Sequence, residues 1–241
     1  SANFNRGTVT LTGTGNISRI STGWDNTANT FNFASTGTVT MATDFVSGQS
    51  SNGVGILNVT TGTWNLQNLN MANWDGSYGA FTMTGGTINT TNLRNGGNGN
   101  GDGNSCSVIT GGTVNISTTG TFCRQGNGTN VLQIKGADTQ FNVGNGRLNV
   151  GFSGNSTGVV TVDDGLLTVA SNLSLAEGNT ASTFGIVNLN GGIVRPNVIV
   201  AGSGGGNSIF NFNGGTLQAN IGSTGFMGGL TQANIYSGGA I

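Results

Sequence analysis

The sequence has no histidine, one proline, two cysteines and only seven lysines or arginines, and charged side chains make up 6% of its 241 residues. Each shortage closes a class of function. Without histidine, and with Cys106 and Cys123 as the sole thiols, a zinc site lacks its usual soft ligands. Seven scattered basic residues in a chain of net charge −1 leave no electrostatic footprint for nucleic acid or an anionic membrane surface. The longest apolar runs, such as Val198 to Ala201, are too short to span a bilayer, so no membrane insertion is expected. No charged start followed by an apolar run marks a signal peptide, as expected of a mature or excised form.

The acids are as sparse as the bases: Asp25, Asp44, Asp75, Asp102, Asp138, Asp163, Asp164 and Glu177. A glycoside hydrolase needs two carboxylates across the scissile bond, and a lyase needs a base beside a carboxylate-bound cation. Asp163-Asp164 is the sole adjacent pair, and neighbours in a strand point to opposite faces. Asp163 is instead expected to stack on Lys135 as a surface ion pair worth under about 1 kcal/mol. Residues 96–104, GGNGNGDGN, are similar to a calcium-binding nonapeptide, but Asp102 falls one place late and the motif occurs once, so the stretch reads as a loop. The Gly-rich loops carry no following Lys-Ser/Thr and open no helix, which sets phosphate cradles aside. No catalysis, cofactor or metal is expected.

What fills the chain instead is 46 Gly, 35 Asn and 34 Thr. Such a composition suggests disorder, yet 34% of residues are hydrophobic and the mean hydropathy is −0.03, too apolar for a solvated coil. The apolar residues are also periodic. Residues 209–220, IFNFNGGTLQAN, match 80–91, AFTMTGGTINTT: an alternating strand, a Gly-Gly break, then a second alternating strand.

Anchored on the second Gly or its equivalent, the unit recurs at Gly37, Gly62, Gly86, Gly112, Asp138, Gly165, Gly192, Gly215 and Gly239, a period of about 25 residues. A third short strand closes each unit, as in Leu69/Met71, Leu148/Val150, Leu173/Leu175 and Val198/Val200, followed by a Gly/Asn-rich loop of variable length. Such units cannot bury their one apolar face alone, whereas stacked coils can. The expected fold is all-β: a single parallel β-helix over residues 1–241, of about nine coils with three short strands each. At about 4.8 Å per coil it is a rod of roughly 43 Å. Reading Asn213-Gly214-Gly215 as a hairpin turn gives an antiparallel meander instead, but an odd number of strands per unit then reverses direction at every repeat.

The coil register makes columns. Phe81, Phe141, Phe210 and Phe212 are expected inside, with Asn89, Asn115, Asn142, Asn211 and Asn213 outside. Thr63, Thr87, Thr113 and Thr139 are expected to stack, with Asn65, Asn89, Asn115 and Asn142 two residues on, as a Thr-x-Asn array whose amides bond along the axis. Such a face stabilises the rod, or binds a flat lattice such as ice or crystalline glycan. Trp24-Asp25 and Trp74-Asp75 resemble sugar-stacking platforms, but two coils apart they form no continuous groove. Cys106 and Cys123 are expected to form one disulfide in a secreted chain, two buried free thiols being the alternative.

Segments 211–220 (NFNGGTLQAN), 110–117 (TGGTVNIS) and 187–194 (VNLNGGIV) resemble the β-strand repeats of bacterial autotransporter-type passenger regions. The resemblance implies a right-handed parallel β-helix outside the cell or on its surface. The ends add an expectation of their own. Ile235, Tyr236, Ala240 and Ile241 begin a coil, while Ala2, Asn3, Phe4 and Asn5 resemble the strand that finishes one, so these eight residues are expected to form a polymer interface. The chain is expected to be a non-catalytic extracellular structural protein, partnered by itself head to tail in a surface fibre. The alternatives are an adhesin or ice/glycan-binding segment, with surface glycans as partners, and a carbohydrate-active β-helix enzyme.

Overall fold

The computed structural model describes residues 2–4, 7–24, 26–97, 102–122, 124, 126–178 and 180–239. Ten strands form the first side of the molecule: Gly7–Leu11, Ala28–Phe33, Val54–Val59, Tyr78–Met83, Asn104–Ile109, Thr129–Ile134, Thr157–Val162, Phe184–Leu189, Asn207–Phe212 and Gln232–Ile235. Each pairs in parallel with the strand one turn away, at offsets from 22 residues (Val9 to Phe31) to 28 (Val131 to Val159). Every strand pairing among the described residues is parallel, so the molecule is a β-solenoid and the Gly-Gly steps are corners, not hairpins.

The other two sides differ from three separate strands per coil. In five turns they fuse into single bent strands, Thr63–Met71, Thr87–Asn95, Thr113–Phe122, Leu166–Leu175 and Ile193–Ala201, within one 14-stranded sheet. The bend comes where the inside/outside alternation slips, as at exposed Gln67 followed by half-buried Asn68, so the chain turns without leaving the extended conformation.

Alternation builds the core. Phe31, Leu57, Phe81, Leu132, Val160, Val187 and Phe210 occupy one inward column of the first side, broken only by buried Ser107. Phe81, Phe141 and Phe210 are buried as expected, but Phe212 is only half-buried, because its one neighbour in the next turn is the short strand Gln232–Ile235. Val198 and Val200 also differ from expectation: Ile199 pairs with Leu173 and is the buried residue, because Ile193–Ala201 crosses the bend with one residue fewer than Leu166–Leu175.

At the first corner Gly62, Gly86, Gly112, Gly165, Gly192 and Gly215 all have positive φ. Gly86 shows why: at φ 84° a side chain is strained, and a Cβ would stand 2.7 Å from the Gly62 carbonyl oxygen below. In the coil anchored on Asp138 the positive φ falls to Gly136 instead.

Candidate functional site

The outward positions of the second side carry the asparagine array. Asn89 donates from Nδ2 to Asn65 Oδ1 at 2.8 Å, Asn115 to Asn89 at 2.9 Å, and Asn142 to Asn115 at 3.0 Å. The register that makes this possible is strict, Asn65, Asn89, Asn115 and Asn142 being successive partners in the sheet. Thr63, Thr87 and Thr113 stack two residues earlier, but the next member is Gln140, not Thr139. Thr139 is fully buried and turns its hydroxyl onto the Lys135 carbonyl, closing the corner before the strand begins.

A second ladder runs beside the first, beyond the bend. Asn68 donates to Asp44 Oδ1 at 2.5 Å, Asn92 to Asn68 at 2.8 Å, and the Thr118 hydroxyl to Asn92 Oδ1 at 2.7 Å. Along the bend lies a groove of about 580 Å³, walled by the amides of Asn65, Asn89, Asn115 and Asn142 and by Thr91 and Ser117. Beneath these walls Met41, Leu66 and Ile116 turn into the core, and among the described residues no charged or aromatic residue lines the groove. Sequence reasoning found the first ladder through its strict Thr-x-Asn spacing. It missed the second because only Asn68 and Asn92 of Asp44, Asn68, Asn92 and Thr118 share a residue type, and all four follow a slip in the alternation.

These axial bonds have one sense. In the Asn58–Asn32, Asn155–Asn127, Asn211–Asn188, Asn220–Asn197 and Asn234–Asn211 pairs, as in the groove, the later coil donates to the earlier one. Ser105 to Asn130 and Gln133 to Asp163 run the other way, so the shared sense belongs to the asparagine pairs.

The charged residues are dispersed into local roles. Asp163 lies 4.0 Å from Lys135 and accepts from Gln133 and Asn190, while Asp164 accepts from the Gly165 backbone; both follow the strand Thr157–Val162 at its corner. Arg147 pairs with Glu177 at 2.5 Å. The Asp75 carboxylate accepts from the Asp102 backbone N–H, and the Asp102 carboxylate from Asn127, so both acids brace successive loops. Among the described residues no three His, Cys, Asp or Glu side chains are grouped to hold a metal. Burial, and secondarily the charge of Arg94, lower Arg124 below its ordinary guanidinium value.

The remaining expected sites fall as follows. Cys106 is a free thiol, which corrects the expected disulfide: it occupies a half-buried outward position of Asn104–Ile109, where Ser105, Ser107 and Ile109 take the inward ones. Cys123 lies outside the described residues. Trp74 is exposed, whereas Trp24 is half-buried with its indole N–H enclosed; Asp25 lies outside the described residues. Of the expected polymer interface, Ala2–Phe4 forms a strand paired with Ile20–Thr22, and Ile235 and Tyr236 are 70% and 52% exposed. Asn5, Ala240 and Ile241 lie outside the described residues. Comparison with protein-family models, curated proteins and solved structures finds no match.

Proposed function

We propose that this chain is a non-catalytic structural protein of the cell surface or extracellular space, a solenoid rod that joins copies of itself head to tail. The observation that carries the reading is the unbroken parallel register of both sheets, which a coil from a second copy can continue. The inward column of the first side passes from Leu189, fully buried, through half-buried Phe212 to Ile235, 70% exposed, with Leu217, Met227 and Leu230 also incompletely covered. A hydrophobic column flanked by unpaired parallel strand edges is stabilised by one more coil. A second copy stacked along the axis lays Gly7–Leu11 over Gln232–Ile235 and Ala2–Phe4 over Met227–Gly228, continuing both sheets in the sense in which they already run.

The parallel sense of every strand pairing among the described residues supports head-to-tail joining over a symmetric end-to-end dimer. Stacking the top, at the later coils, on the base continues that parallel pairing, whereas two tops related by a twofold axis would have to pair their strand edges antiparallel. The surface location rests on the scarcity of charge and on the likeness of NFNGGTLQAN to passenger-type repeats of bacterial surface proteins, whose relationship to this chain is part of the proposal. Sedimentation and negative-stain microscopy of the purified chain test it. Rods lengthening with concentration are the expected result, and a chain that stays monomeric at high concentration overturns it.

A further inference from the structure

Along the groove, Asn89 and Asn115 each give one N–H to the amide below and receive one from the amide above. An amide has two N–H groups and an oxygen with two lone pairs, so each keeps one donor and one acceptor for a ligand. A sugar hydroxyl is the group that answers both at once, since it donates and accepts from the same atom. The pairs recur once per coil, about every 4.8 Å. An extended peptide repeats its same-face groups about every 6.6–6.8 Å and falls out of step within two coils. Phosphate-bearing or other anionic polymers need Lys or Arg, and the groove has none. Flat aromatic ligands need a stacking face, and no aromatic residue lines it.

We propose that the groove between Thr40 and Asn145 binds a neutral, linear glycan laid along the solenoid axis, its hydroxyls engaging the free amide groups of Asn65, Asn89, Asn115 and Asn142 while its rings lie in the concavity between these amides and Thr91 and Ser117. The site lies on the side of the rod, away from the ends, so it operates whether or not copies stack.

The probes are the linear β-1,4-linked hexasaccharides of glucose, mannose and xylose, with hexagalacturonate as the charged comparator, titrated calorimetrically into the full chain. At least one neutral hexasaccharide binds saturably, with little dependence on salt. Ser117→Arg fills the groove from an exposed position at the bend without breaking either ladder, and weakens that binding by at least about tenfold. Thr82→Arg, on the exposed face of the first side, leaves it unchanged. Thermal melting of each variant verifies that the fold is retained. The proposal is overturned if all three neutral hexasaccharides fail to bind at millimolar concentration, if Ser117→Arg binds as well as Thr82→Arg, if hexagalacturonate is preferred, or if the chain shows thermal hysteresis in ice without binding any hexasaccharide.

Discussion

Trp64 lies face to face with Phe33, their ring centroids 5.1 Å apart and their planes only 9° from parallel. Phe31 and Phe45 complete the cluster at 5.9 and 5.2 Å, so one indole joins two successive coils and all three sides of the solenoid. Trp64→Ala is therefore expected to cost about 3–5 kcal/mol. Trp64→Phe should cost less than half of that, because the indole N–H is buried without a partner and its removal offsets part of the lost packing. Urea melts of the two variants check the ratio, and equal losses rule out the orphan donor as a factor.

The asparagine ladder predicts a smaller and more local effect. Replacing Asn115 by Ala removes the bonds from Asn142 and to Asn89 at a half-buried position, which is expected to cost about 1–2 kcal/mol. Asn213→Ala, at an exposed site outside any ladder, should stay within about 0.5 kcal/mol.

Two glycines separate strain from collision. Gly205 has φ 74° and open space around its Cα, so Gly205→Ala is expected to cost only the left-handed penalty of about 1–2 kcal/mol. Gly86 has φ 84° and the Gly62 carbonyl 2.7 Å from any added Cβ, so Gly86→Ala must also push two coils apart and should cost clearly more. Melting temperatures of the two variants side by side give the answer.

Burial, and then the nearby Cys106, hold the Tyr78 phenol above its ordinary value. A raised acid favours the folded state while it is protonated. Its contribution is complete below the unfolded phenol pKa of about 10 and disappears as pH rises through the higher folded value. Wild type should therefore lose stability over that alkaline interval relative to Tyr78→Phe, and Cys106→Ser should narrow the gap. Denaturant midpoints measured from pH 8 to 12 decide it.

The fold was legible because its signal is one period repeated along most of the chain. Phe81 and Phe210, Asn89 and Asn115, and the glycine corners can all be placed from spacing alone, since a parallel ladder forces like positions onto one another. What escaped were the places where register slips. Val198 and Val200 were assigned inward because they alternate correctly within their own strand, yet the missing residue at the bend hands the core to Ile199. Thr139 looked like the fourth threonine of its column, but an extra residue in its corner puts Gln140 there. Cys106 and Cys123 could be counted but not oriented, and orientation decides whether a bridge is possible. The groove was half legible: its amides follow the period, while its concavity depends on the fused, bent strands, for which nothing in the local sequence differs from two separate ones.

The difference between the two faces of a stacked coil gives the sharpest test of assembly. Ile235→Lys places a charge on the apolar column at the top of the solenoid and leaves the base untouched. Alone, this variant should remain monomeric with an unchanged β-sheet spectrum. Mixed with wild type, it still has a base that can add to the top of a growing rod, after which no further subunit can follow. In a heterologous, non-closing assembly such a subunit terminates the chain, so rods should shorten well below equimolar variant. In a symmetric end-to-end dimer joined top to top, the same variant cannot engage at all and merely dilutes the wild type. Rod lengths counted by microscopy across a titration of variant into wild type separate the two: steep shortening supports head-to-tail stacking, and lengths that follow only the wild-type concentration refute it.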